Sequence, residues 1–510
     1  MEKEPLDQAL SSQESKAIVS PIIPHEKVDR AAVEAVNKAE NRSLYAAQKN
    51  IHPKRAKGSF RNIKWWVMAV TLGIYYLSPW IRWDRGPGIP NQAILVDITN
   101  SRFYFFFIEI WPQEIYYITG LLILAAIGLF LVTSTAGRIW CGYTCPQTVW
   151  VDLFLVIERF FEGDRNARIR LEKADWSLSK ITKRVAKHTT WLVISVLTGG
   201  AWVFYMNDAP TLFAELIDFD APLTTYFWIA VLTFTTYLLG GIAREQVCTY
   251  MCPWPRIQAV MMDEETLSVM YRHDRGEPRA PHKKGESWDG RGDCVQCRQC
   301  VVVCPVGIDI RDGMQLECIQ CSLCIDACDG VMEKIGRPKG LIAYDSLANF
   351  DRRKNNEPEQ IKIIRPRTLL YTLLIIIVSG IILYGLMHRA DLEVNILRDR
   401  NPLFVQLSSG DIRNGYTVKI LNKTHDIRRY SLSVSGLKNF DMKVEGHHGL
   451  TPEGLPIINV GRDRIRAAKI YITAPRRDLK SSSMDITITA KHLGGTSISD
   501  NVTSFKGPKK

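Results

Sequence analysis

Two cysteine runs decide the fold: CVQCRQCVVVCPVGIDI at residues 294–310 and CIQCSLCIDAC at residues 318–328. Each run reads C-x2-C-x2-C-x3-C, the spacing of bacterial two-cluster iron–sulfur proteins, in which the fourth cysteine of each run ligates the other cluster. The spacing predicts a bacterial ferredoxin-like domain with two 4Fe-4S clusters. The expected ligand sets are Cys294, Cys297, Cys300 and Cys328 for one cluster, and Cys318, Cys321, Cys324 and Cys304 for the other.

Five apolar segments without a charged residue are long enough to cross a bilayer, for which about 17–25 residues are needed. They are residues 65–81, 115–136, 189–206, 224–243 and 368–387. The mean hydropathy of the whole chain is only −0.07, because polar regions accompany these segments. The sequence therefore predicts a multi-pass α-helical membrane protein, with buried core helices as the alternative.

The loops between these segments differ in charge, which predicts their side of the membrane. Residues 137–188 contain ten Lys and Arg, whereas residues 207–223 contain none. The positive-inside rule then places the N-terminus, residues 137–188 and residues 244–367 in the cytoplasm. The expected arrangement has the clusters in the cytoplasm and residues 388–510 on the outer side of the membrane. The net charge of +12 follows largely from this topology, so no nucleic-acid partner is expected.

The cysteine distribution agrees with this topology. All 12 cysteines lie in segments predicted to be cytoplasmic, where thiols stay reduced. Disulfides are therefore disfavoured. Zinc is disfavoured as well, because zinc sites usually show two C-x2-C pairs separated by a longer loop rather than a doubled series.

Composition and periodicity divide the chain into five parts. Residues 1–60 are charged and poor in aromatic side chains, which predicts a disordered cytoplasmic tail. After the fifth span the pattern alternates with period two in YTVKI, YSLSV, KIYIT and MDITITA, and Asn414-Gly415 is a candidate tight turn before the first strand. The expected parts are a tail at 1–60, a four-helix membrane domain at 61–262, a di-cluster domain at 263–366, a fifth transmembrane helix at 367–388 and an antiparallel β-sandwich at 389–510.

A second cysteine pattern occurs twice outside the ferredoxin-like runs. CGYTCP begins at Cys141 and CTYMCP begins at Cys248, so both read C-x-Y-x-C-P, and an arginine precedes each of them at Arg138 and Arg244. If helix continues through the motif, the two cysteines share one face. If the proline breaks the helix, Cys145 and Cys252 cap new helices, and a helix N-terminus lowers a thiol pKa.

Three interpretations of Cys141, Cys145, Cys248 and Cys252 remain open. They could be buried packing residues, a regulatory dithiol, or soft-metal ligands for Cu(I), zinc or an iron–sulfur unit. The duplication argues against packing alone. Met251, Met261 and Met262 could add thioether ligands or simply pack against neighbouring helices.

Two features outside the cysteine motifs also bear on function. Residues 149–161 are apolar but interrupted by charges, which predicts an interfacial amphipathic helix. The chain has no phosphate-binding glycine loop and no dinucleotide fingerprint, so electrons must come from another protein or a membrane pool.

Together these motifs resemble the FixG/CcoG (RdxA) family of bacterial cytochrome c oxidase accessory proteins. The resemblance runs from about residue 60 to the C-terminus and rests on CGYTCPQTVW, CTYMCPWPRIQ, CPVGIDIR, ECIQCSLCIDACD and RPKGLIAYDS. It implies a membrane-bound polyferredoxin whose periplasmic end has an immunoglobulin-like fold.

The resemblance also implies a function, namely reduction of Cu(II) to Cu(I) for assembly of a cbb-type oxidase. The chain would then be a cupric reductase with two 4Fe-4S clusters and transiently bound copper. Cys141, Cys145, Cys248 and Cys252 would be its copper-handling thiols. The implied partners are a copper chaperone or transporter, the oxidase assembly machinery and an unknown electron donor, and a homodimer is left open. Two alternatives are a quinol-linked electron conduit and a non-redox scaffold or sensor.

Overall fold

The computed structural model describes residues 28–37, 50–86, 89–283, 285–424 and 426–508. The chain divides into two compact units, residues 1–380 and residues 381–510. The first unit contains the predicted spans up to residue 243 and both sets of cysteine motifs, and the second contains the C-terminal strands.

Helices dominate the first unit. Their bounds are α1 Ser59–Leu77, α2 Tyr116–Ala136, α3 Ile139–Tyr143, α4 Pro146–Glu162, α5 Arg165–Lys173, α6 Leu178–Phe204, α7 Ala209–Ile217, α8 Leu223–Thr236, α9 Arg244–Gln246, α10 Trp254–Met261, α11 His273–Gly276, α12 Gln299–Val303, α13 Leu323–Lys334, α14 Leu347–Lys354 and α15 Pro366–Met387. Helix α15 runs across the boundary between the two units. Two π-helical segments, Tyr237–Ile242 and Val247–Met251, flank α9.

Three of the five predicted spans coincide with helical segments long and apolar enough to cross a membrane. These segments are Pro112–Ala136, Leu223–Ile242 and Pro366–Met387. The other two predicted spans lie in α1 and α6, which are helical but have charged residues in their N-terminal turns, including Lys64 and Lys187. The three apolar segments support membrane association of the chain.

Short strands connect the helices of the first unit. Strands β1 Ile94–Asp97, β2 Arg102–Phe105 and β3 Ile108–Ile110 form an antiparallel sheet before α2. Strands β4 Ser268–Tyr271 and β5 Ile342–Asp345 pair antiparallel on either side of the two cysteine runs. The pairing of β4 with β5 brings together the two ends of the segment that contains both runs.

The described part of the N-terminal tail packs against the ferredoxin-like module, although the sequence predicts disorder for residues 1–60. The backbone N–H of Ala31 donates to Cys297 O at 3.1 Å, and that of Lys54 donates to Val302 O at 2.9 Å. The side chain of Ala35 is buried. Residues 1–27 and 38–49 lie outside the described residues.

The second unit is an antiparallel sandwich of two sheets. Its strands are β6 Leu392–Arg398, β7 Val405–Gln406, β8 Ile412–Asn422, β9 Arg428–Ser435, β10 Asp441–Val444, β11 Ile457–Val460, β12 Arg464–Ala474, β13 Ser483–His492 and β14 Ile498–Lys506. One sheet has the order β10-β12-β8-β6 with β7 beside β8, and the other has the order β11-β9-β13-β14. The inward residues of both sheets form one core that includes Tyr416, Leu432, Ile470 and Ile488. All four strands predicted from period-two alternation are present.

The predicted turn at Asn414-Gly415 is wrong, because both residues lie inside β8. Asn414 is fully buried. Its amide donates to Lys506 O at 2.7 Å and accepts from the Lys506 backbone N–H at 3.0 Å. The buried Asn414 side chain thus satisfies the backbone C=O and N–H of Lys506. This pairing with a distant strand outweighs the turn that the Asn-Gly dipeptide favours on its own.

Helix α4 departs from the interfacial helix predicted at residues 149–161. Its acidic side chains Asp152, Glu158 and Glu162 are buried rather than exposed. Asp152 pairs with Lys64 Nζ at 3.0 Å. The charges of this helix therefore hold the first unit together instead of facing water.

Glu158 is the most heavily paired of these acids. Its carboxylate lies 2.7 Å from an Arg168 nitrogen, 3.0 Å from an Arg244 nitrogen and 3.7 Å from Lys187 Nζ. Burial opposes ionisation, but Arg244, Arg168 and Lys187 lower the pKa of Glu158 to about 2.

Replacing Glu158 by glutamine should destabilise the first unit. Removing one partner of a buried pair leaves uncompensated charge, at a cost of about 3 kcal/mol. Glu333→Gln is the matched control, since its pair with Lys339 is 3.4 Å long and mostly exposed, and such pairs contribute about 0–1 kcal/mol. Thermal unfolding of the detergent-solubilised chain should show a clearly lower midpoint for Glu158→Gln only. Equal midpoints would contradict the assigned role.

Candidate iron–sulfur and thiol centres

One cavity of about 380 Å³ is lined equally by the two cysteine runs. Its thiols are those of Cys304, Cys318, Cys321 and Cys324, together with that of Cys300. Most other lining residues are aliphatic. The structure thus brings together the four cysteines that the spacing assigns to one cluster, including the one from the first run.

A second cavity of about 350 Å³ lies beside the first cysteine run. It is lined by Cys294, Cys297, Cys300 and Cys328, together with Arg311, Tyr271 and aliphatic side chains. Arg311 is bound to Asp309 at 2.6 Å and adds a buried cation to this cavity. The crossed arrangement of the two runs therefore places the four predicted ligands of each cluster around one cavity, and Cys300 lines both cavities.

Both runs bend through left-handed backbone at equivalent positions. The φ angles are +52° at Gln296 and +57° at Arg298, and +53° at Gln320 and +62° at Ser322. Non-glycine residues adopt this conformation at a cost of about 1–2 kcal/mol each. Alternating right- and left-handed residues turn successive backbone N–H groups to one side, which makes a cradle for anions.

Backbone N–H groups of the two runs point at the cysteine sulfur atoms. The N–H two residues after the cysteine faces the sulfur in four cases: Gln299 for Cys297, Val306 for Cys304, Gln320 for Cys318 and Leu323 for Cys321. A thiolate, not a neutral thiol, benefits most from such donors.

The donor chemistry of both cavities fits 4Fe-4S clusters. Burial raises the pKa of Cys304 to about 12 and that of Cys318 to about 11, so these thiols lose their protons only when a metal takes their place. Among the described residues, no group of three or more His, Cys, Asp or Glu side chains is arranged to hold a single metal ion. A 4Fe-4S cluster presents a different iron to each of its four cysteines.

The four remaining cysteines form a second centre, which we call the thiol quartet: Cys141, Cys145, Cys248 and Cys252. The two C-x-Y-x-C-P motifs are joined by hydrogen bonds between the repeats. Gln147 donates to Leu239 O at 2.8 Å, and Arg138 donates to Pro255 O at 2.7 Å. The sulfur of Cys141 lies 3.2 Å from Oε1 of Gln258, a buried residue of α10.

The four thiols are close enough to affect one another's ionisation. Burial and then the charges of Cys145, Cys141 and Cys252 raise the pKa of Cys248 to about 12. Burial and then Cys145 raise the pKa of Cys141 to about 11, although Arg138 acts in the opposite direction.

The two motifs break their helices differently. Cys145 caps α4, which begins at Pro146 as predicted. The pKa of Cys145 is nevertheless raised, since burial outweighs the helix N–H groups of Gln147 and Thr148. In the second motif Cys248 lies in a π-helical segment, and α10 begins one residue later than expected, at Trp254.

The two preceding arginines also have different roles. The Arg138 side chain reaches Leu316 O and Cys318 O in the second cysteine run. Arg244 instead pairs with Glu158. Of the two arginines, Arg138 is the one whose charge opposes the rise in the pKa of a neighbouring quartet thiol, that of Cys141.

The first C-x-Y-x-C-P motif rests directly on the second cysteine run. The backbone N–H of Arg138 donates to Oε1 of Gln320 at 2.7 Å. A Cβ added to Gly142 would lie 2.7 Å from the carbonyl oxygens of Gln320 and Ile319. One backbone therefore touches the other, between Cys141 and Cys318.

The opposite side of the quartet is open. Tyr250 and Met251 are 52% and 61% exposed, and Cys252 is exposed. Tyr143, the equivalent of Tyr250 in the first motif, is buried. The quartet thus has one side against the ferredoxin-like module and one side at the protein surface.

Curated proteins resemble this chain over most of its length. The nitrogen fixation protein FixG of Rhizobium meliloti is 52% identical over 88% of this chain and 91% of its own length. The chain belongs to the FixG family. Protein RdxB and protein RdxA of Cereibacter sphaeroides are 53% and 49% identical, each over 85% of this FixG-family chain and over 90% and 91% of their own lengths.

Family models match three segments of this FixG-family chain. A 4Fe-4S dicluster domain matches residues 243–347, and an "IG-like fold at C-terminal of FixG" matches residues 382–508. A 4Fe-4S binding domain matches residues 118–162. The iron–sulfur module and the immunoglobulin-like fold of the C-terminal domain are thereby confirmed.

Among solved structures, a FixG-related protein from Vibrio parahaemolyticus is 22% identical over 23% of this chain and 95% of its own, with a TM-score of 0.20.

Sequence reasoning missed the residues that join the two centres. Gln320 and Gly142 lie within cysteine motifs, but nothing in their spacing indicates a contact between motifs about 180 residues apart. The position of Arg138 just before the motif is visible in the sequence. Its partners, the carbonyl oxygens of Leu316 and Cys318 in the second cysteine run and the segment before it, are not.

Proposed function

We propose that this chain is a membrane-bound iron–sulfur protein that transfers electrons from its ferredoxin-like module through the thiol quartet to Cu(II). The observation that carries the proposal is the backbone contact between Gly142 and Gln320, which joins the second cysteine run to the thiol quartet. Another member of the quartet, Cys252, is exposed at the surface. An electron carrier needs an entrance and an exit, and this arrangement provides an exit at the surface.

Bound 4Fe-4S clusters supply one-electron reduction at potentials that reach about −400 mV or lower. Reduction of Cu(II) to Cu(I) consumes one electron and no proton, so one electron lost from the module balances each copper ion. Arg138 lies between Cys318 and Cys141. Its positive charge favours the extra negative charge that an electron brings to the cysteine run on one side or to the quartet on the other. Met251 presents an exposed thioether, a ligand that favours Cu(I) over Cu(II).

The charge pattern of the loops supports an orientation with the N-terminus and both cysteine runs in the cytoplasm and the C-terminal domain in the periplasm. In this proposal the chain spans the bacterial inner membrane several times. Its partners are an electron donor, a copper chaperone or transporter that accepts Cu(I), and the assembly machinery of a cbb-type oxidase. A second copy of the chain is a further candidate partner.

An anaerobic reoxidation assay tests copper reduction. The purified chain is reduced with dithionite, desalted and mixed with Cu(II) or with a quinone analogue, while cluster absorbance and chelated Cu(I) are followed. We expect one Cu(I) per electron lost. Reoxidation by the quinone but not by Cu(II) would replace copper with a quinone as acceptor, and reoxidation by neither would favour a scaffold.

Met251→Leu tests where copper meets the protein. We expect its Cu(I) production to slow about tenfold, the lower end of what loss of a metal-positioning group costs. Met314→Leu is the matched control, since Met314 is also an exposed methionine, at 49%, but lies outside the quartet. Equal rates for the two variants would remove Met251 from the copper site.

A further inference from the structure

The thiol quartet has the composition of a cluster site. Its four donors are all cysteine sulfurs, two from each C-x-Y-x-C-P motif, and the repeats are tied together by Gln147, Arg138 and Gln258. Four cysteine thiolates are the usual ligand set of an iron–sulfur cluster.

Cys145 also repeats a local feature of the ferredoxin-like cysteines. The backbone N–H of Gln147, two residues further on, faces its sulfur, as that of Gln299 faces Cys297 and that of Gln320 faces Cys318. A second donor, the N–H of Thr148, belongs to the first turn of α4. Such donors stabilise thiolate sulfur that carries metal.

The family models cover the two halves of this site in separate matches. The 4Fe-4S binding domain matched at residues 118–162 contains Cys141 and Cys145, and the dicluster domain matched at residues 243–347 contains Cys248 and Cys252 beside the eight cysteines of the two runs. Two thiols are too few to hold a cluster by themselves. The hydrogen bonds between the repeats join the two pairs into one site.

We propose that Cys141, Cys145, Cys248 and Cys252 together bind a third iron–sulfur cluster, shared between the two repeats. Binding converts the four thiols to thiolates, and their four protons are released to solvent. The third cluster rests on the proposed function only for its role as the last carrier before the acceptor. Copper would then be reduced at the exposed Met251 edge rather than bound by the four thiols.

Metal analysis of the anaerobically purified full chain tests the proposal without any acceptor. We expect about 12 iron and about 12 acid-labile sulfide per chain, against about eight of each if only the ferredoxin-like module is loaded. The Cys248→Ser/Cys252→Ser variant and the Cys141→Ser/Cys145→Ser variant should each retain about eight, and each should lose about a third of the iron signal in Mössbauer spectra. The matched control Tyr250→Phe/Met251→Leu changes the same segment without removing a thiol and should retain about 12.

A wild-type chain with about eight irons would overturn the third cluster, whether or not a serine variant folds. One tightly bound copper per chain at that iron content would assign the quartet to copper instead. Twelve irons with no Cu(II) reduction would keep the third cluster and reject the proposed function, so the two failures are distinguishable.

Discussion

Replacing Cys304 by serine is expected to remove the cluster of the second cysteine run and to spare the cluster of the first run. This outcome is unusual because Cys304 itself belongs to the first run in sequence. The reason is the crossed arrangement, in which Cys304 lines the cavity formed by Cys318, Cys321 and Cys324. A 4Fe-4S cluster that loses one of its four cysteines is poorly retained, so the variant should lose about four irons per chain.

Cys328→Ser is the reciprocal variant. Cys328 belongs to the second run but lines the cavity of Cys294 and Cys297, so the same number of irons should be lost from the other site. Electron paramagnetic resonance of the reduced variants should show complementary signals, each missing a different part of the wild-type spectrum. If Cys304→Ser and Cys328→Ser each removed the signal of their own run, the crossed ligation would be wrong.

The two variants should also differ in activity. The cavity that contains Cys304 is the one beside Gln320, which contacts the thiol quartet. Its loss should abolish Cu(II) reduction, because the module then has no cluster next to the exit. Cys328→Ser keeps that neighbour and should reduce Cu(II) when dithionite loads electrons directly. Equal activity of the two variants would contradict this order of carriers.

The grouping of the cysteines around two cavities and the strands of the second unit are readable from sequence because they depend on local spacing. A C-x2-C-x2-C-x3-C run sets the positions of four thiols over eleven residues, and strict alternation in YTVKI or KIYIT sets which side of a strand is buried. The break at Pro146 is equally local, since the residue before a proline is kept out of helix.

Contacts between distant segments could not be read in this way. The acidic residues of α4 look like a solvated face in isolation, yet Lys64 and Arg168 from other helices make Asp152 and Glu158 suitable for burial. The tail residue Ala31 looks disordered by composition, yet its N–H completes a bond to Cys297 O. In each case the partner lies far away in sequence, and no periodicity records it.

The contact between the thiol quartet and the second cysteine run also joins segments that are distant in sequence. Gly142→Ala is the sharpest test of that contact. The added Cβ would meet two backbone carbonyl oxygens at 2.7 Å, and neither can move as a flexible side chain could. Overpacking of this kind costs about 1–3 kcal/mol or shifts the motif away from the second cysteine run. We expect slower electron transfer from the module to Cu(II), with the iron content unchanged.

The control is Gly128→Ala in α2, where an added Cβ has no neighbour within 4 Å. Reoxidation by ferricyanide, a small acceptor that can meet the ferredoxin-like module directly, separates a lengthened path from a damaged cluster. Gly142→Ala should react normally with ferricyanide and slowly with Cu(II), whereas Gly128→Ala should resemble wild type with both. If Gly142→Ala also reduced Cu(II) at the wild-type rate, electrons would leave the module without crossing the contact between Gly142 and Gln320, and the quartet would lose its place in the path.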